Sequence, residues 1–112
     1  MNNKRFFRIP MSELRVRLPK LRHQIQLNYL SIICTRHGET AAFLLSLHDA
    51  AALQIDAQKT EERSLVEFRR TLTEAWEKLQ DDTDCIYLTF HNRRVVAFVS
   101  DRIVGNLAGG VA

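Results

Sequence analysis

The residues with the most suggestive chemistry form the stretch Thr35-Arg36-His37-Gly38-Glu39-Thr40. An imidazole can act as a nucleophile, and a neighbouring guanidinium can hold a phosphate through charge-assisted hydrogen bonds. The pair Arg36-His37 therefore suggests phosphoryl transfer. The glycine that follows tolerates the positive φ of a tight turn.

This stretch resembles the Arg-His-Gly-Glu signature of the histidine phosphatases. That family is larger than this chain, and it implies a second catalytic histidine, further phosphate-binding arginines and a βαβ scaffold. Here the motif turns straight back into an apolar strand. The four histidines and two cysteines do not have metal-ligand spacing, and there is no glycine-rich phosphate loop. We therefore predict a protein that is not an enzyme and has no metal or cofactor.

The apolar runs on both sides of His37-Gly38 predict a β-hairpin over Ile32–Ser46. The pattern returns over Ile86–Ser100, with His91-Asn92 at the turn. Asparagine is the next residue most tolerant of positive φ. The chain is therefore predicted to contain two similar hairpins.

An offset of 54 residues extends this similarity without a gap. Residues 13–53 and 67–107 share nine identities over 41 aligned positions, and their apolar residues follow the same phase. The alternative is that any two helix–hairpin units share apolar positions. We favour a tandem duplication, which would fix the architecture. The prediction is one domain over residues 1–112, with a first repeat at 1–55 and a diverged second repeat at 56–112.

Two segments carry local predictions that conflict with a simple repeat. Apolar residues from Met11 to Ile25 define one helix face, but Pro19 predicts a break into helices at about 11–17 and 19–27. Residues 56–63 should open the second repeat with a strand. They are so polar and helix-prone that we predict helix, or helix with one break, through this region.

Basic residues are concentrated in the first third of the chain, although the formal net charge is only +3 at pH 7. Residues 1–36 carry eight Lys or Arg and one acid, whereas the remainder carries eight bases and twelve acids. This distribution favours a polyanionic partner, with nucleic acid as the first choice and a solvated basic surface as the alternative. We find no membrane-spanning run and no signal peptide, so we expect a cytoplasmic protein with no membrane partner. Cys34 and Cys85 fall within predicted strands, which favours buried, reduced thiols.

Residues 9–53 resemble the Phd/YefM (prevent-host-death) antitoxin family. The segment Ile-Pro-Met-Ser-Glu-Leu-Arg-Val-Arg-Leu-Pro-Lys-Leu, residues 9–21, is similar to the family's opening, a strand end followed by Ser-Glu-x-Arg. The segment Ile-Cys-Thr-Arg-His-Gly-Glu-Thr-Ala-Ala-Phe-Leu-Leu-Ser, residues 33–46, is similar to its hairpin. Residues 48–53 fit the helix that follows.

The resemblance implies an α+β fold in which a small antiparallel sheet has helices packed on one side. Family members dimerise, bind operator DNA, and neutralise a toxin through a C-terminal segment. Because this chain is predicted to hold two copies, we expect an intramolecular pseudo-dimer, and a homodimer of such pseudo-dimers is an open alternative. Residues 103–112 are short and apolar, so residues 50–80 would have to take over toxin binding.

The resemblance also implies the DNA contacts. The arginine of Ser-Glu-x-Arg falls on Arg15, and Arg69 is its counterpart in the second repeat. An arginine one turn into a helix can reach a phosphate or a guanine edge. We expect both on one surface, as a pair of half-sites would require. The alternative interpretation of each arginine is an ordinary solvent-exposed residue without a DNA contact. The other candidate contacts are Arg17, Arg36, His37, Arg93 and Arg94.

We therefore predict a non-catalytic, antitoxin-like transcriptional repressor of a toxin–antitoxin operon. Its partners would be double-stranded operator DNA and a cognate toxin. The second prediction is a protein-interaction module of the same fold, toxin-binding or a decoy, that has lost DNA binding. The acidic stretch Asp81–Asp84 and the less basic second half favour that alternative.

Overall fold

The computed structural model describes residues 5–104, in which both halves of the chain contribute strands to one sheet. Within this range no helix is both long enough and apolar enough to cross a membrane. A 3-10 turn at Ala57–Lys59 precedes β4. Of the apolar segment 103–112, the part after residue 104 lies outside the described residues. The helices and strands are, in chain order, β1 (Arg5–Pro10), α1 (Met11–Gln26), β2 (Leu30–Arg36), β3 (Glu39–Leu45), α2 (Leu47–Ala52), β4 (Thr60–Ser64), α3 (Leu65–Arg70), α4 (Leu72–Gln80), β5 (Cys85–Phe90) and β6 (Arg93–Ser100).

The six strands follow the order β1-β2-β3-β6-β5-β4, so each half contributes one side of the sheet. The inner strands β3 and β6 pair antiparallel where the halves meet. The edge strands β1 and β4 pair parallel to β2 and β5. The predicted antiparallel sheet is therefore wrong at both edges. Each edge strand reaches its neighbour through a helical crossover, which makes the pair parallel.

Both predicted hairpins are present, and their local geometry agrees. The two central residues of each turn have positive φ: 54° and 81° at His37-Gly38, and 53° and 63° at His91-Asn92. This is the geometry of a type I′ turn, whose twist matches that of the paired strands. A shift of register follows Cys34 in the first hairpin and Leu88 in the second, two positions 54 residues apart.

The helix predicted over residues 56–63 is wrong, because Thr60–Ser64 forms the edge strand β4. The polar side chains that suggested helix make ion pairs instead. The Arg63 guanidinium lies 2.8 Å from a Glu61 carboxylate oxygen and 3.2 Å from one of Glu74. Charged side chains are common on sheet edges, where they discourage pairing with other chains. Pairing with β5 thus outweighs the segment's helical preference.

The break predicted at Pro19 is also wrong, because α1 continues through it. Proline has no N–H to donate to the carbonyl four residues earlier, here that of Arg15. This carbonyl instead accepts a hydrogen bond from Nε of Arg69, at 3.0 Å. In the second half the helical segment is divided at Thr71, between α3 and α4.

Helices cover both faces of the sheet, so the predicted one-sided packing is wrong. The larger core lies between the sheet and the helices α1, α3 and α4, where the rings of Phe68 and Phe98 meet edge to face at 4.8 Å. On the opposite face Ala50 of α2 packs with Ala97 and Val99. Successive strand residues point to opposite faces, and β6 is apolar on both.

We expect Phe68→Ala to lower the free energy of unfolding by about 3–5 kcal/mol, because it empties a fully buried site on the Phe98 ring. Val66→Ala is the control, since Val66 is 75% exposed on the same helix, and it should change stability by less than about 0.5 kcal/mol. Urea unfolding followed by Trp76 fluorescence measures both. Equal losses for the two variants would contradict this packing.

Candidate nucleic-acid interface

Arg15 of α1 and Arg69 of α3 form reciprocal hydrogen bonds across the two halves. Nε of Arg15 donates to the Arg69 carbonyl at 2.6 Å, and Nε of Arg69 donates to the Arg15 carbonyl at 3.0 Å. The Arg15 carbonyl is available because of Pro19. The Arg69 carbonyl lies next to the end of α3, where helix carbonyls lack intrahelical donors. Each guanidinium uses only Nε here, and neither bonds another described residue.

This arrangement places the two arginines side by side on one surface. Two copies of a DNA-reading module usually contact half-sites about 34 Å apart. Arg15 and Arg69 are in direct contact, so they are far too close to serve two half-sites with that spacing. They would instead present one pair of cations to a single stretch of DNA.

A first cleft, of about 370 Å³, opens beside Arg15 between the start of α1, the tip of the first hairpin and the start of α4. Parallel pairing of β1 with β2 sets Pro10 opposite Thr35, which brings the hairpin tip to the helix start. No carboxylate of the described residues lines this cleft. Its polar lining consists of Ser12, Arg15, Thr35, Arg36, His37 and Thr73. Three of the predicted contacts, Arg15, Arg36 and His37, therefore lie together.

A second cleft, of about 160 Å³, opens beside Arg69. Its lining residues all lie 54 positions from residues that line the first cleft, but they are mostly apolar: Leu18, Pro19, Arg22, Leu65, Val66, Arg69 and Phe90. Val66 and Phe90 are 75% and 42% exposed. The two clefts thus have corresponding positions in the chain and different chemistry.

Each cleft is bordered by a cation–π contact between the halves. The Arg36 guanidinium lies 4.2 Å from the centre of the Trp76 ring, and that of Arg22 lies 4.5 Å from the Phe90 ring. The offset of 54 matches Arg36 with Phe90 and Trp76 with Arg22, so the cation and the ring are exchanged. Sequence reasoning missed Trp76 and Arg22. The signal was an arginine aligned with an aromatic residue at two places in the repeat.

The remaining predicted residues are more scattered. Arg17 lies 3.9 Å from the Glu13 carboxylate on the exposed side of α1. Nε of Arg94 donates to Glu62 at 2.6 Å, and its guanidinium stacks on Tyr87, which packs with the core under α2. Arg94 is thus engaged on the sheet face opposite α1. Arg93 is exposed at the start of β6, at the second hairpin tip.

Both cysteines are fully buried and unpaired. Burial raises the pKa of the Cys34 thiol far above its ordinary value and raises the pKa of Cys85 to about 12. Thiolate is the nucleophilic form of cysteine, so neither residue has the character of a catalytic nucleophile. Over residues 5–104, no three His, Cys, Asp or Glu residues are grouped in a way that could hold a metal ion.

Comparisons of this chain with protein-family models, curated proteins and solved structures found no match. The Phd/YefM resemblance therefore stays a prediction, and function is argued from the geometry above.

The exchanged cation–π contacts can be tested by copying one into the other. Arg36→Phe combined with Trp76→Arg recreates the order found at Phe90 and Arg22. The loss of unfolding free energy in the double variant should be smaller than the sum of the losses in the two single variants. We expect a difference of about 0.5–1 kcal/mol, the strength of an exposed contact of this kind. Arg17→Phe with Trp76→Arg is the control. If the losses measured by urea unfolding are strictly additive for Arg36→Phe and Trp76→Arg, the cation–π contact between these positions is contradicted.

The buried thiols predict slow chemical modification. At pH 8 a thiol-specific reagent such as Ellman's reagent should leave both Cys34 and Cys85 unmodified in the native protein, because the raised pKa values suppress thiolate and burial blocks access. Both should react at once in denaturant. Rapid reaction of either residue in native buffer would show that its strand opens.

Proposed function

We propose that the protein is a non-catalytic, antitoxin-like repressor that binds double-stranded operator DNA, built as an intramolecular pseudo-dimer of two Phd/YefM-like repeats. The observation that carries the proposal is the reciprocal Arg15–Arg69 pair, with Arg36 and His37 beside it at the start of α1. It places guanidinium groups on one surface where a polyanion can reach them.

Three features favour the pseudo-dimer. The strand order reads the same from either edge when β1, β2 and β3 are matched with β4, β5 and β6. The turns and register shifts of the two hairpins occur 54 residues apart. The Arg15–Arg69 bonds join equivalent residues to each other, which is the contact expected where a two-fold axis passes between two copies.

DNA binding by this surface has a direct physical basis. Nη groups of Arg15 and Arg69 remain as donors, and a guanidinium can bind a phosphate or the edge of guanine. The described residues span 34 Å in their longest direction, about one turn of B-DNA. One chain therefore covers roughly one helical turn, and a longer operator would require a homodimer of pseudo-dimers.

The proposal includes a cytoplasmic location, no cofactor and a cognate toxin as protein partner. A second candidate is a protein-interaction module of the same fold that does not bind DNA. The second cleft favours it, because Val66 and Phe90 expose apolar surface beside Leu65 and Pro19. Apolar exposure of this kind marks protein-binding surfaces more often than phosphate-binding ones.

The first test is a gel shift with the DNA upstream of the protein's own gene. We expect binding that falls steeply with salt, because phosphate neutralisation releases counterions. Arg15→Ala should weaken it by about 1–3 kcal/mol if Arg15 contacts a base. Arg94→Ala is the matched control, since Arg94 is held by Glu62 and Tyr87 on the other face, and it should bind as the wild type does.

Urea unfolding of both variants separates lost contacts from lost structure. If Arg15→Ala is well folded and binds normally, Arg15 is not a DNA contact. If the wild type gives no shift at low salt and instead binds the product of a neighbouring gene tightly, the interaction module replaces the repressor.

A further inference from the structure

We infer that the first cleft alone holds a DNA backbone phosphate, so that the chain engages its DNA asymmetrically. This inference rests on the proposed DNA binding and specifies which side of the surface performs it. Its basis is the chemical difference between two clefts whose lining residues match position by position.

Three hydrogen-bond donors of the first cleft are replaced by apolar residues in the second, whereas Arg15 keeps an arginine, Arg69, as its counterpart. Ser12 corresponds to Val66 and Thr73 corresponds to Pro19, so two hydroxyl groups give way to apolar side chains. Arg36 corresponds to Phe90. The first cleft thus offers hydroxyl, guanidinium and imidazole groups around one space, which is the donor set that holds phosphate oxygens.

The starts of α1 and α3 differ in a way that also favours phosphate binding in the first cleft. α1 is a 16-residue helix whose N-cap is Pro10, which makes no side-chain hydrogen bond to the first N–H groups, and Pro10, Met11 and Ser12 at this helix start line the cleft. At the corresponding position before α3, the hydroxyl of Ser64 accepts from the N–H of Glu67 at 3.1 Å. α3 has only six residues and its start is already capped. The stronger positive end therefore belongs to the cleft that also has the polar side chains.

Arg69 of the second cleft is bonded just as Arg15 is, but Arg22, the other cation of that cleft, is committed to the protein. Arg22 donates to Gln26 at 2.8 Å while it stacks on Phe90. In the first cleft the Arg36 guanidinium stacks on Trp76 without a hydrogen bond to any described side chain or carbonyl. Its N–H groups therefore remain for a phosphate. The smaller volume of the second cleft, about 160 Å³ against about 370 Å³, points the same way.

The test begins with selection of bound sequences from a random-sequence duplex DNA library by the full-length protein. Phosphate-ethylation interference on the selected duplex should then show its strongest effect at one position on one side of the site. Ser12→Val should weaken binding about tenfold, as loss of a hydrogen bond to a charged group does. Val66→Ser, the reverse change in the second cleft, should stay within about twofold of the wild type.

Ser12 and Val66 are both exposed, so neither change should impair folding, and urea unfolding checks this. Equally strong interference on both sides of the site, or equal effects of the two variants, would overturn the asymmetric site while leaving DNA binding intact. Failure of the wild type to enrich or shift any duplex at low salt would overturn the proposed function, and this inference with it.

Discussion

The arrangement of the proposed DNA-binding surface depends on one constraint, the placement of two arginines against each other's backbone. Two neighbouring guanidinium groups repel each other, and each Nε here donates to the carbonyl of the other arginine, whose dipole offsets part of the repulsion. One of those carbonyls is free only because Pro19 cannot bond it. A residue that usually interrupts helices thus supplies the acceptor that joins the two halves. The remaining positive charge is concentrated at the junction, where an anion would relieve it.

Both cation–π contacts that border the clefts are made between the halves. The tip of the first hairpin stacks on α4 through Arg36 and Trp76, and α1 stacks on the second hairpin through Arg22 and Phe90. The inner strands β3 and β6 join the two sides of the sheet. Neither cleft exists within one half alone. Formation of the surface and docking of the halves are therefore one event.

The sequence allowed the hairpins to be predicted because their turns depend on local residues, His37-Gly38 and His91-Asn92. It failed for β4 and for the middle of α1, where the structure is decided by distant partners. The ion pair of Arg63 with Glu74 and the bond from Arg69 to the carbonyl freed by Pro19 cannot be seen in a window of neighbouring residues. A motif argument identified Arg15, Arg36 and His37 as candidate contacts. It did not identify Trp76, because the cationic partner of Trp76 lies 40 residues away in the chain.

The seven residues between α2 and β4 are the only covalent link between the halves. On the proposed duplication, this link turns what would be a homodimer into a single chain, with a consequence for how the protein can change. In a homodimer every substitution occurs on both sides of the axis, so a residue and its symmetry mate stay identical. In this chain a substitution changes only one of the two halves. The reversed order of arginine and aromatic ring in the two stacking contacts is an arrangement that two copies of one gene product could not adopt.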